Sequence, residues 1–372
     1  MSKRKISFSE RAALHYLSRR KRKTYQFTDD WHILNETEQA VLKQTYRLLL
    51  FWTSLTGAMG VLIYYVPVDL YPEYFPKTPV QFWGNTYEIP IISNLYSIIL
   101  SVLEIFVLYS LHLNAVHKMA EVCNYPDKND LKYEEHILAL AEVSLEKKDK
   151  RVLKLGLNPM QGVPKIWIFA QTLFNLVRAF LSNFLAKLLF RRLLGRVLLR
   201  VWLDLMGMPI YAFWNMFAAN LVFHEAKIRI LAPRLIAQMT ENMQVKFQEN
   251  ILFQEHLYDV LQAMTMKSRR FHYAHYLFAA SMLQAFQIPI KKQHLLEKDI
   301  MLTLKALPND IVEAYCHIFC FGFILDGRIG QQEKKWIQEL YEAKLSPISP
   351  EKLSQWAEDY WEGRGIDELV NG

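Results

Sequence analysis

The sequence predicts an all-α integral membrane protein: a transmembrane helical hairpin, amphipathic or further membrane helices, and a C-terminal cytoplasmic helical bundle. Three observations predict it. Hydrophobic residues make up 52% of the 372 and aromatics 13%, while Gly (13) and Pro (14) are few, a mix that favours long helices over a β-sandwich with its frequent turns. Two apolar runs are each long enough to cross a bilayer as a helix. The C-terminal stretch divides into short amphipathic segments separated by turn residues.

Residues 1–23 carry nine Lys or Arg against one acid, Glu10. They precede "YRLLLFWTSLTGAMGVLIYYVPV" (46–68), a run without an acid. A second run, "IPIISNLYSIILSVLEIFVLYSLHL" (89–113), holds one carboxylate, Glu104. The connector 69–88 is rich in Tyr, Phe, Trp and Pro and nearly free of Lys and Arg. Aromatics gather at membrane interfaces, and the side poor in basic residues is usually the outside. The pair therefore reads as a hairpin with both ends in the cytoplasm. The first apolar run begins only after about forty residues, too late for a cleavable secretory signal. Three cysteines, Cys123, Cys316 and Cys320, make no disulfide framework and point to a reducing compartment.

Residues 114–165 are polar and read as a cytoplasmic loop. The stretches 166–190 and 201–223 are each long enough to span, yet their connector "RRLLGRVLLR" (191–200) has four arginines. A second spanning hairpin would leave these outside, against the usual charge bias. Arg192, Arg196, Arg200 and Asp204 recur every four residues, so they form one polar stripe that can rest on anionic lipid headgroups while an apolar stripe enters the bilayer. Two arrangements stay open, interfacial or re-entrant helices and two more spans. Pro209 is expected to kink the chain here, and Pro233 to break the long helical stretch 224–264.

From 269 onward, dividers at 287–289, 307–310, 325–330 and 345–350 separate short helices. Asn309 or Asp310 is expected to cap one, and Ser349-Pro350-Glu351 to start another. The domain division is then 1–45, a basic cytoplasmic segment; 46–113, the hairpin; 114–165, the loop; 166–232, interfacial or membrane helices; and 233–372, a cytoplasmic helical domain.

The most motif-like stretch is "ILDGRIGQQEKKWIQEL" (324–340). Placed as an EF-hand loop with Gly327 sixth, it has Asp326 fifth and Glu333 twelfth, but the first and third positions are Gly322 and Ile324. These offer no side-chain oxygen to an ion that wants six to eight. The helix-start reading is the stronger: Asp326 helps cap, Gly327 takes a positive φ and Ile329 anchors the turn. The stretch also resembles the Asp-Gly-x-Ile-x-x-x-Glu signature of TerB-like domains, the all-helical modules named after tellurite resistance. That resemblance runs from about residue 265 and implies a helical bundle whose acids can bind a divalent metal, here Asp326 and Glu333. In the earlier element 275–300 the Asp-Gly pair is replaced by Gln284-Ala285. As a whole the chain looks like uncharacterised bacterial multi-pass membrane proteins, which implies the bacterial inner membrane.

Other chemistry is weighed against blander readings. Glu313, Cys316, His317 and Cys320 lie within two helical turns; Cys316 and Cys320, one turn apart on one face, could hold a soft metal but read better as small core residues. His272 and His275 in "RRFHYAHY" read as a solvated face. His224-Glu225 begins like a zinc-protease helix, but position 228 is Ile228 instead of the required histidine. Glu104, Asn215 and Asn220 are the polar groups inside apolar stretches, where an acid is costly unless partnered or functional. Basic clusters interleaved with leucines point to lipid and away from nucleic acid.

The expectation is a non-enzymatic membrane-anchored adaptor that presents its C-terminal domain to a protein partner, metal-responsive if the Asp326 turn binds a cation, with homo-oligomerisation compatible. The alternative is a small ion or solute transporter using Glu104 and the 166–223 helices.

Overall fold

The computed structural model describes residues 11, 15–17, 33–82, 85–126, 133–144, 151–164, 166, 173, 200–270 and 272–371. The regular structure among these residues is helical apart from one β-hairpin. Helix α1 (Glu36–Leu70) covers the first predicted span and extends beyond both its ends, and α2 (Ile91–Val122) covers the second from Ile91 and continues past its end. α3 (Tyr133–Ser144) and a 3-10 turn at Arg151–Leu155 follow. α4 (Arg200–Phe247), α5 (Ile251–Ser268), α6 (Tyr273–Ala285), α7 (Ile300–Lys305), α8 (Asn309–Ile324), α9 (Gln331–Glu342), α10 (Pro350–Glu362) and α11 (Asp367–Asn371) complete the order.

The chain falls into two compact units. The first comprises residues 1–42, 119–164 and 224–372; the second comprises 43–118 and 165–223. The expected boundary at 233 lies inside the continuous helix α4.

In the second unit, α1 and α2 are long and apolar enough to cross a membrane, the two such helices among the described residues. A core helix of a soluble protein would be mostly buried. Here only 22% and 11% of the apolar windows are buried, and large side chains such as Phe51, Leu103 and Phe106 stand exposed. The aromatic connector, expected as a loop, contains a 3-10 turn (Pro72–Tyr74) and antiparallel strands β1 (Thr78–Phe82) and β2 (Asn85–Ile89), with Thr78 opposite Ile89 and Phe82 opposite Asn85. Two residues separate these strands, the length that closes a tight hairpin.

In the first unit, α8 is the central helix. From Ile311 to Ile324 every residue but Glu313 is buried, and α8 packs against α5, α10 and α11. Gly322 makes the α5 approach feasible, because a Cβ there would lie 2.0 Å from Met264 Sδ.

Three local expectations are corrected. α4 runs unbroken through Pro233. The proline removes one hydrogen bond at a cost of about 3 kcal/mol, but Ile230, Leu231, Ala232, Leu235 and Ile236 around it are all buried, and packing outweighs local preference. The break comes instead at 248–250, where the Asn250 side chain accepts the Phe253 N–H and starts α5. α8 is capped by neither Asn309 nor Asp310: Pro308 precedes it without a side-chain cap, and Asp310 sits in the first turn, where an acid favours the helix dipole. The 275–300 element is helical only to Ala285; 286–299 is non-helical up to α7. The start of α10 is as expected, with Ser349 Oγ accepting the Lys352 N–H and Pro350 in the first turn.

Candidate functional site

The Asp326 turn follows α8 with Gly327 at φ 71°. Asp326 Oδ1 accepts the Arg328 N–H at 3.0 Å, and its other oxygen pairs with the Arg270 guanidinium. Glu333 reaches back to the Gly330 N–H, forming the carboxylate half of a capping box. The two acids thus divide the helix-start work: Asp326 shapes the turn, and Glu333 ties down the cap of α9. Ile329 is only half-buried. Burial, reinforced by the Asp326 charge, pushes the Glu333 carboxyl up to about 7. As a cation site this set fits poorly, because one carboxylate is already neutralised by Arg270 and two carboxylates fall short of the six to eight oxygens of calcium. Among the described residues no group of three or more His, Cys, Asp or Glu is arranged to hold a metal.

Beside this turn lies a chain of buried charges. His272 caps α6: its Nδ1 accepts the Ala274 N–H at 3.2 Å, so Nε2 carries the ring proton. Nε2 sits 2.7 Å from Glu225 Oε2, at ion-pair distance but without the alignment of a hydrogen bond. Glu225 Oε1 accepts from Arg229 Nε at 2.9 Å. The Arg229 guanidinium donates to Ala139 O at 2.7 Å and lies 3.5 Å from Glu142, which accepts from Arg151 at 2.8 Å. The Tyr273 ring lies within 4.9 Å of both guanidinium centres. Signs alternate along the chain, so each charge has an opposite neighbour, as burial requires. Burial alone would raise the Glu225 carboxyl, but His272 and Arg229 outweigh it and hold it below the usual carboxylate range. Burial opposes charge on His272, yet Glu225 more than compensates and raises it.

The expectation that His272 and His275 form a solvated face is corrected. Both are covered, His275 completely, with Nε2 2.8 Å from Gly322 O; burial lowers its pKa to about 4. One histidine caps the start of α6 and the other satisfies a carbonyl, so both rings are held inside. His224 stacks on Trp361 at 4.2 Å, and its pKa falls to about 4 through burial and the charges of Arg328 and Lys227. Cys316 and Cys320 are core residues, and burial pushes the Cys316 thiol up to about 12.

In the second unit, Asn215 Nδ2 on α4 donates to Glu104 Oε1 on α2 at 2.9 Å. Gly60 of α1 faces the other carboxylate oxygen, and a Cβ at Gly57 would lie 2.8 Å from Asn215 Nδ2 and 2.7 Å from Tyr211 O. Asn220, the third predicted polar group, accepts from Tyr46 OH at 2.9 Å. Glu104 and Asn215 are thus brought together, while Asn220 serves a separate contact. Arg192 and Arg196 lie outside the described residues, and the backbone of Arg200 opens α4.

Sequence reasoning missed Arg229, Glu142 and Arg151. Arg229 carried a signal, an arginine at i+4 from Glu225; Glu142, 87 positions earlier in the chain, carried none. Comparison with protein-family models, curated proteins and solved structures finds no match.

Proposed function

We propose that this chain is a membrane-anchored adaptor. In this reading α1 and α2 form a hairpin in a bacterial inner membrane with both chain ends cytoplasmic, and the first unit is presented to a protein partner. The observation that carries it is the exposure of α1 and α2: two helices of membrane length whose apolar side chains find little cover within the chain, a condition that water penalises and lipid does not. The same helices continue into the polar, charge-latched first unit. The resemblance of the 324–340 stretch to TerB-like domains supports an interaction module over an enzyme. Arg192, Arg196 and Arg200 are assigned to anionic headgroups.

The test is photo-crosslinking of the full chain in cells, with a crosslinking residue at Leu302 or Tyr341, both exposed on the first unit. The expected result is an adduct of one discrete mass with a second protein. An adduct of twice the chain mass identifies a second copy as the partner. Membrane-bound protein without adducts at either position overturns the adaptor reading, and a pattern unchanged by chelator removes the divalent metal from it.

A second reading, a small ion or solute transporter, is favoured by the Glu104–Asn215 hydrogen bond. A carboxyl amid apolar helices costs a few kcal/mol unless used. Flux in proteoliposomes that Glu104→Gln removes is its expected outcome; no flux in the parent chain ends it.

A further inference from the structure

We infer that α4 is a membrane-crossing helix entered from the connector side, with bilayer hydrocarbon as the occupant of its outward apolar face; this rests on the membrane reading of α1 and α2, and it keeps both chain ends on one side through one further crossing between residues 122 and 200. Among the described residues, length and composition single out only α1 and α2, because Pro209, Asn215 and Asn220 dilute the apolar character of 201–223. Placement within the second unit supplies what composition lacks.

The contacts fix both direction and level. Tyr46 of α1 bonds Asn220, whereas Gly57, farther along α1, abuts Tyr211 and Asn215. As α1 advances α4 recedes, so the two run antiparallel. Tyr96 OH of α2 donates to Ile63 O, and Glu104 faces Gly60, so α2 is also antiparallel to α1. The Gly57–Glu104–Asn215 contact therefore marks one common level near the middle of the first apolar run. From there α1 continues to Leu70, α2 back to Ile91 and α4 back to Arg200. At 1.5 Å per residue these distances are all roughly 15–23 Å. Arg200, the first described residue of α4, thus lies at the level where α1 ends and α2 begins, that of the 71–90 connector. From Asn220, level with Tyr46, to Arg200 the helix covers about 30 Å, the thickness of a hydrocarbon core.

The outward face of α4 is apolar at mid-level. Ile210 is 58% and Phe213 52% exposed, while Asn215 is turned inward and buried. A helix resting at the headgroups would not place its inward residues against the centres of both spanning partners. The backbone of Arg200 then falls at the connector side of the bilayer.

Two measurements on the full chain in lipid test this. The native cysteines are buried, so labelling of an introduced thiol is checked against the unsubstituted chain. Spin labels on Met59→Cys, Leu103→Cys and Phe213→Cys, all exposed and near the common level, are expected to report equal depth by oxygen and nickel-complex collision. In sealed vesicles, Val201→Cys is expected to react with a membrane-impermeant maleimide from the same side as Tyr71→Cys, opposite to Gln44→Cys. A label at Phe213 that is shallower than the other two, or a Val201→Cys that reacts from the Gln44→Cys side, overturns the crossing and leaves the hairpin intact. Water at all three labels overturns the membrane reading itself.

Discussion

The five guanidinium donors of Arg229, in a side chain 1% exposed, must find acceptors within the protein. They find partners on two helices: Glu225 one turn back on α4, and on α3 the Ala139 carbonyl and, as an ion pair, Glu142. Arg229→Ala is expected to destabilise the first unit by about 3–5 kcal/mol, because it leaves Glu225 with one partner fewer and the Ala139 carbonyl without this donor. Urea unfolding in detergent micelles, followed by tryptophan fluorescence, measures it. Arg229→Lys should recover only part of the loss, since a point charge cannot serve two carboxylates and a carbonyl in one plane. At this scale the sequence was half legible. Asp326, Gly327 and Glu333 could be read as a turn and helix start because the chemistry is local. The partners of Arg229 could not, because nothing in a linear pattern couples residue 142 to residue 229.

Between helices, the close approach of α1 and α4 depends on one missing methyl. A Cβ at Gly57 would meet the Tyr211 carbonyl at 2.7 Å, and backbone cannot give way as a flexible side chain can. Gly57→Ala is expected to part the helices, weaken the Glu104–Asn215 hydrogen bond and cost about 1–3 kcal/mol. Gly60→Ala is the control: its nearest neighbour would be Glu104 at 3.6 Å, ordinary contact, so its melting temperature in micelles should stay near that of the parent chain while that of Gly57→Ala falls. Helix identity was legible for the two long apolar runs, where composition over some twenty residues leaves no competitor. Boundaries were legible where a side chain makes the cap, as at Ser349, and not where burial overrides a local breaker, as at Pro233, or where backbone alone starts the helix, as at Pro308.

For the molecule as a whole, the all-α class was readable from composition, and two membrane-length helices from hydropathy. The assembly of the first unit was not, because residues 1–42, 119–164 and 224–372 combine across the apolar helices that interrupt them. Its cohesion is correspondingly long-range. Tyr258 OH bonds the Leu155 carbonyl, the Gln262 side chain bonds the backbone of Asn158, and His294 N–H bonds the Gly156 carbonyl. A Cβ at Gly156 would lie 2.5 Å from Lys291 O, so the 151–164 strap and the 291–294 strand of chain fit together only without one.

That discontinuity has a consequence for biosynthesis. A ribosome delivers Glu142, Arg151 and the strap 151–164 long before it delivers Arg229, Gln262 and Lys291, with the residues of α4 up to 223 emerging in between. Glu142 therefore cannot meet Arg229 until the apolar part of α4 has been made. The first unit is thus completed only after that apolar stretch has been made, and on the membrane reading its completion waits on insertion of α4.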